Sequence, residues 1–229
     1  MKIVIIYGQN HKGSTYHIAH MLAEKIKGDI KEFFLPRDFG EFCVGCTKCF
    51  MESEKKCSHY EKLKPLTDAM DEADVIILAS PVYVYHVTGA MKTFLDHYGY
   101  RWMVHRPQES MFRKQGVCIS TAAGAGMKPT NKDMADSLFF WGVAKRYQYG
   151  VRVAAVNWNG VSEKKKCAID KATSGIAKKI VNNSKHVKPG IKTRAMFWAM
   201  HFAQRKGFNP CDAEYWKSKG WTGKKRPWK

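Results

Sequence analysis

Ser80-Pro81-Val82-Tyr83-Val84-Tyr85-His86-Val87-Thr88-Gly89-Ala90-Met91-Lys92 follows directly on the apolar run Val75-Ile76-Ile77-Leu78-Ala79. An aliphatic run without polar alternation reads as a strand buried on both faces, the mark of a parallel sheet. The turn after it sits at a strand's carboxyl end, where open α/β sheets bind ligands beside the point at which strand order reverses. Pro81 removes a backbone donor and holds Ser80 extended, so the chain leaves the sheet as a shaped loop with free amides and two tyrosines. Such a loop suits the edge of a flat ring; it also suits a packed strand-to-helix turn whose aromatics are core.

Earlier in the chain, residues 2–7 (Lys-Ile-Val-Ile-Ile-Tyr) form a second buried run. Gly8-Gln9-Asn10-His11-Lys12-Gly13-Ser14-Thr15 then leads into a helical stretch at about 16–27. Strand, glycine-punctuated loop and helix start place free amides and the positive end of the helix dipole where a phosphate can bind, with Ser14 and Thr15 as hydroxyl donors. The spacing matches neither a Walker loop nor the dinucleotide fingerprint, and an ordinary capped βα loop has the same outline. Further strands are expected at 30–35, 116–120 and 151–156, and helices at 60–72, from Thr88, and at 131–143, 163–182 and 193–206. Thr121-Ala122-Ala123-Gly124-Ala125-Gly126 after the fourth strand is a small-residue turn that lets a flat ligand approach the backbone. Five βα units of this kind build an α/β doubly wound parallel sheet of order 2-1-3-4-5.

Cys43, Cys46, Cys49 and Cys57 form a C-x2-C-x2-C-x7-C pattern. Three thiolates so close together wrap one face of a cubane cluster and a fourth can close it, whereas a zinc site more often shows two separated C-x2-C pairs. A cysteine-bearing loop without metal remains the plainer alternative. Residues 100–114 are polar, aromatic and basic without a period; they read as a mobile flap whose Arg101, Arg106 and Arg113 could pair with nucleotide phosphates. His97, late on its helix, reads as a capping or surface residue.

The segment from Ser80 to Asp96 resembles the Ser-Pro-Val-Tyr…Thr-Gly-x-Met-Lys-x-Phe-x-Asp stretch of the NADPH-dependent FMN reductase and iron-sulfur flavoprotein group, whose fold is flavodoxin-like. The resemblance implies that Pro81, Val82, Tyr83 and Val84 cup the isoalloxazine ring of FMN. It implies that Thr121, Ala122, Ala123 and Gly124 flank the ring's far edge, and that Gln9, His11, Gly13, Ser14 and Thr15 hold the phosphate. The group usually reads Ser-Pro-Arg-x-Gly-Asn-Thr in the phosphate loop, so Gln9 and His11 are departures. The cysteine pattern is similar to the compact motif that carries a [4Fe-4S] cluster in iron-sulfur flavoproteins, with a longer last interval.

The implied activity is FMN-dependent transfer from NAD(P)H to a quinone, flavin or similar acceptor, without a named general base because the cofactor carries the reactive atoms. The alternative is an electron carrier whose cluster receives electrons from ferredoxin. Relatives are usually homodimers or homotetramers.

With Lys and Arg 39 against Asp and Glu 20, the chain of 229 residues has a formal charge of +19, a field that draws anions. Twelve Lys/Arg against two acids lie in residues 185–229, over half of that excess. A domain over 1–184 with a cysteine-rich insertion at 37–58, followed by a basic helical extension at 185–229, is the expected organisation. The tryptophans of the extension raise single-strand nucleic-acid binding as a third function, but no RNP-like or helix-turn-helix pattern supports a specific nucleic-acid partner. Seven cysteines, an odd number, disfavour a secreted disulfide scaffold and favour a reducing cytoplasm. The N-terminal apolar run is too short for a signal segment, and no run has the length of a membrane span.

Overall fold

The structure, a computed structural model, describes residues 1–229. Five parallel strands, β1 (Lys2–Tyr7), β2 (Asp29–Phe34), β3 (Val75–Pro81), β4 (Gln115–Ala122) and β5 (Lys145–Arg152), pair in the order β2-β1-β3-β4-β5. This is the doubly wound flavodoxin-like order expected. Successive residues of the central strands point to opposite faces, and both faces are covered, so the strands carry no polar alternation. Ile3, Ile5, Val75, Ile77, Val117 and Ile119 pack under α1 (Ser14–Ile26) and α6 (Glu163–Asn183). Val4, Ile6, Ile76, Leu78 and Cys118 pack under α3 (Tyr60–Glu72), α4 (Gly89–Asp96) and α5 (Met127–Phe140).

One expected strand moves. The run at 151–156 is apolar, but β5 lies at Lys145–Arg152, and the chain leaves the sheet there: Ala154 has φ 50° and Val156 is fully exposed. As an edge strand β5 is half-covered, so its burial alternates and its sequence lacks the continuous apolar signature of β1 and β3.

The four-residue helix α2 (Lys48–Met51) lies within the cysteine segment. The last two helices, α7 (Ile191–Arg205) and α8 (Pro210–Ser218), fold back onto the sheet domain. Phe197, Trp216 and Trp221 join Met103 and Phe112 in a third apolar cluster, all five fully buried. Burial of this kind contributes roughly 1.5–3 kcal/mol for a Phe-sized side chain. The apolar face of α7 thus finds its partner within the same chain, though Trp198 and Phe202 stay exposed. No helix is long and apolar enough to cross a membrane.

Candidate functional site

All five strands run the same way, so the loops after β1, β3 and β4 emerge along one rim, with the reversal of strand order between β1 and β3. Hydrogen bonds stitch these three loops together. Gly8 N donates to Ala79 O at 2.8 Å, and Thr88 Oγ1 donates back to Gly8 O at 2.5 Å. Thr88 N donates to Ser80 Oγ at 3.1 Å and Val82 N to Thr121 O at 2.9 Å. Thr15 Oγ1 and Thr121 Oγ1 share a buried bond of 2.7 Å, which ties the start of α1 to the end of β4. Thr88 also caps α4, accepting from Met91 N at 3.1 Å. A Cβ on Gly8 would stand 2.8 Å from Thr88 Oγ1 and 3.0 Å from Ser80 Oγ, so this crossing admits only glycine.

The rim leaves donors free. The cap of α1 is Gly13, which has no side chain to fold onto the first turn, and the amides of Ser14, Thr15 and Tyr16 donate to no protein acceptor. With no acidic residue in that turn and His11 and Lys12 exposed beside it, the helix end suits an anion. In the second loop Tyr83 and His86 exchange backbone bonds of 2.9 and 3.0 Å, forcing Val84 and Tyr85 into positive φ of 48° and 66°. For a β-branched residue this is a strained conformation, of the kind that collects at functional sites. Tyr83, Val84 and Tyr85 are all exposed there, Val84 at 92%. In the third loop the amides of Ala123, Gly124 and Ala125 are likewise free, and Gly124 faces open space.

The structure therefore brings the sequence-predicted residues of all three loops to one rim, with two distinctions. Gln9 is buried and its Nε2 donates to His11 O at 3.3 Å, and Thr121 is bound to Thr15; both brace the loops from inside. Gly126, which the sequence placed in the small-residue turn without a role of its own, sets the second loop against the third: its φ is 97°, and a Cβ would meet Val82 Cγ1 at 2.6 Å.

A cavity of about 70 Å³ lies elsewhere, at the far end of α4, lined by Cys43, Cys46, Cys49 and Cys57. Burial and the facing thiols of Cys57, Cys43 and Cys46 push the Cys49 thiol up to about 11. His97 also lines this cavity; it is the C-cap of α4, as its capping reading expected, but it is not a surface residue: it is 6% exposed, and its Nε2 lies 3.0 Å from Nδ1 of His59. Its Nδ1 is held by Thr93 O at 2.8 Å, which fixes the ring's tautomer. Burial holds its pKa below the ordinary value. The ligand atoms of Cys57, His59 and His97 lie within 4.8 Å of one another. The spacing Cys57-x-His59 was visible in the sequence; the approach of His97 depends on α3 packing against α4 and was not.

Residues 100–114 are not a flap. Arg101 and Arg106 are buried, Arg101 forking onto Asp71 at 2.8 and 2.5 Å and Arg106 pairing with Asp212 at 2.6 Å. Trp216 Nε1, Tyr215 Oη and Gln204 Nε2 donate to the carbonyls of His105, Pro107 and Val104. These arginines are spent on protein partners, so the expected pairing of Arg101 and Arg106 with nucleotide phosphates falls away.

A family model described as NADPH-dependent FMN reductase matches residues 1–153, two thirds of the chain. The chain belongs to the NADPH-dependent FMN reductase family. Among curated proteins it is 39% identical over 88 residues to an iron-sulfur flavoprotein of Archaeoglobus fulgidus, covering 37% of this chain and 36% of that one. It is 31% identical over 130 residues to an NADPH azoreductase of Bacillus sp. (strain OY1-2), covering 55% and 61%. The matches thus span between about a third and three fifths of those relatives. Solved structures of similar fold include a flavone reductase, at TM-score 0.59 and 18% identity over 83% of this chain and 66% of that one. Another is an FMN-dependent NADH-azoreductase from Bacillus anthracis solved with FMN, at TM-score 0.56 and 11% identity, covering 77% and 100%.

Proposed function

We propose that this FMN reductase-family protein is an FMN-dependent NAD(P)H oxidoreductase that passes electrons to a quinone, flavin, azo compound or similar small acceptor. The observation that carries the reading is the stitched rim with its unfilled donors. The residues fit the group: amides of Ser14, Thr15 and Tyr16 at a helix start suit a phosphate, and Pro81 to Val84 and Ala122 to Gly124, with Thr121 bracing them from inside, would offer backbone and flat apolar surface to a ring. Bound FMN would supply the hydride-accepting chemistry, while the chain binds, orients and keeps water from its ring. Tyr83 and Val84, exposed on their strained turn, are the side chains placed to cover it. Titration with FMN, read by flavin fluorescence and followed by NADPH oxidation, tests this. Expected are stoichiometric binding and flavin-dependent turnover; a chain that gains no flavin absorbance overturns it.

A second reading is supported by the four thiols around one cavity. Cys43, Cys46, Cys49 and Cys57 suit a [4Fe-4S] cluster, and α4 runs from the rim at Thr88 to that cavity at Asp96, a rise of about 12 Å. The match to a protein named iron-sulfur flavoprotein points the same way. A ferredoxin docking on the basic surface would then feed the cluster. Iron and sulfide analysis after anaerobic purification decides it, fewer than about three irons per chain counting against a four-cysteine cubane. In both readings, residues 1–184 carry the rim and the cysteine insertion 37–58, and 185–229 form the extension.

A further inference from the structure

α2 has only four residues, so its carbonyls have almost no partners within the helix. Lys48 O is taken by the amides of Glu52 and Ser53. The other three are taken by groups remote in sequence. Arg106 Nη2 donates to Cys49 O, and Arg106 Nη1 donates to Phe50 O at 3.1 Å. Asn209 Nδ2 donates to Phe50 O at 3.3 Å, and Cys211 Sγ donates to Met51 O at 2.9 Å. Arg106 is itself held by Asp212, which is 1% exposed and also bonded to His105 Nδ1 at 2.7 Å. The Phe50 ring lies edge-on to His105 and leaves no room for a Cβ at Gly99, 2.9 Å from its Cζ. Nothing in the cysteine segment itself performs this work: residues 40–47 have no regular structure, and Cys43 and Cys46 are exposed.

We propose that the C-terminal extension is the positioning element of the cysteine site: Asp212, acting through Arg106, with Asn209 and Cys211, fixes the backbone of Cys49 so that its thiol meets the other three. The inference rests on the metal-binding reading of the cysteines. It gives the extension a role that charge and composition did not suggest. The side chains of Asp212, Arg106 and Asn209 hydrogen-bond to no thiol; they act by holding the carbonyls beside one. Partners one step removed from a metal ligand are typically worth 10–100-fold in metal affinity.

The test uses the full chain, anaerobically reconstituted with ferrous iron and sulfide, and separately loaded with Co2+ as an absorbing probe. In Asp212→Asn the expected result is a tenfold or greater loss of Co2+ affinity, faster release of iron to a chelator and a displaced thiolate-to-metal absorption band. FMN affinity, reporting on the rim, stays as in the parent. Arg106→Lys keeps a cation beside Asp212 but loses the fork over Cys49 and Phe50, and is expected to reproduce the loss. Asn209→Ala, a milder cut, is expected to weaken Co2+ binding a few-fold. Parent-like metal retention in Asp212→Asn and Arg106→Lys overturns the inference, as does joint loss of metal and FMN in all three variants, which would mark a global effect. A parent chain that takes up neither iron nor Co2+ removes the metal reading itself, a result separable from the other two.

Discussion

The strand-end rim and the cysteine cavity stand at opposite ends of α4 and are held by different forces. The rim is framed by neutral hydrogen bonds among threonine and serine hydroxyls and backbone groups, on loops that leave adjacent strands. The cavity is formed by a segment with little structure of its own. Its surroundings are fastened by buried cations: Arg101 on Asp71, Arg106 on Asp212 and two α2 carbonyls, Lys114 on Asp71 O and Ala73 O. A neutral frame positions polar loops at small electrostatic cost. A buried ionic frame binds distant segments firmly but fails sharply when one partner is removed.

The largest expected effect comes from that asymmetry. Arg101→Met leaves the carboxylate of Asp71 without its forked partner, and half-burial of Asp71 moderates the loss to about 3 kcal/mol, a Tm drop of roughly 6–12 °C. The KM for NADPH should not change in the protein that remains folded; a raised KM would restore Arg101 to the nucleotide and blur the contrast between the two regions. Next comes Gly126→Val at the rim. It forces a β-branched residue to φ 97° and drives Cβ to 2.6 Å from Val82 Cγ1 and 3.1 Å from Tyr85 Cα. About 2–3 kcal/mol of stability and at least tenfold in FMN affinity should be lost. Thiol-reagent kinetics at Cys43 and Cys46 should stay unchanged; if they accelerate, the two regions are one cooperative unit.

Lys114 gives the ionic frame a pH signature. Burial pushes its ammonium down to about 8, below the ordinary lysine value. Below pH 8 both folded and unfolded chains carry the proton. Between about 8 and 10.4 the unfolded chain holds more of it, so the Lys114 contribution to stability rises with pH. The buried thiols of Cys49 and Cys118, held above their ordinary range, pull the other way, so the Lys114 contribution is read as the difference between parent and Lys114→Met in guanidinium unfolding, which should grow in the parent's favour by on the order of 1–2 kcal/mol between pH 7.5 and 9.5. A difference that stays level or shrinks over that interval contradicts the assignment. FMN affinity should be level across the same range.

The rim was legible because topology makes it: strands such as Ile3–Tyr7 and Val75–Ala79 announce themselves by unbroken apolar runs, and the loops that leave them must lie at their carboxyl ends. The cysteine set was legible as ligands, since spacing is a local property. Its support was not. Arg106 and Asp212 meet across 106 residues, and in sequence Arg106 belongs to a basic stretch that reads as open to solvent. β5 was misplaced for a related reason: Tyr147, Tyr149 and Val151 face the sheet's α1–α6 side from an edge, while the more apolar 151–156 run ends in a solvent-exposed loop.

The smallest effect is the most informative about the contrast, because it separates strain from contact. Val84 sits at φ 48° with its side chain almost wholly exposed, so it gains nothing from packing in the free protein and bears the cost of a left-handed β-branched residue. Asn tolerates that conformation through its short polar side chain. Val84→Asn should therefore stabilise the FMN-free chain by about 0.5–1 kcal/mol, raising Tm by a few degrees. It should weaken FMN by a few-fold, because the apolar surface offered to the ring is gone. Opposite signs in paired Tm and FMN titrations mean that the rim keeps a strained residue for its contact with ligand. A lowered Tm would mean that Val84 is held by the fold, leaving the two ends of α4 alike in how they are built.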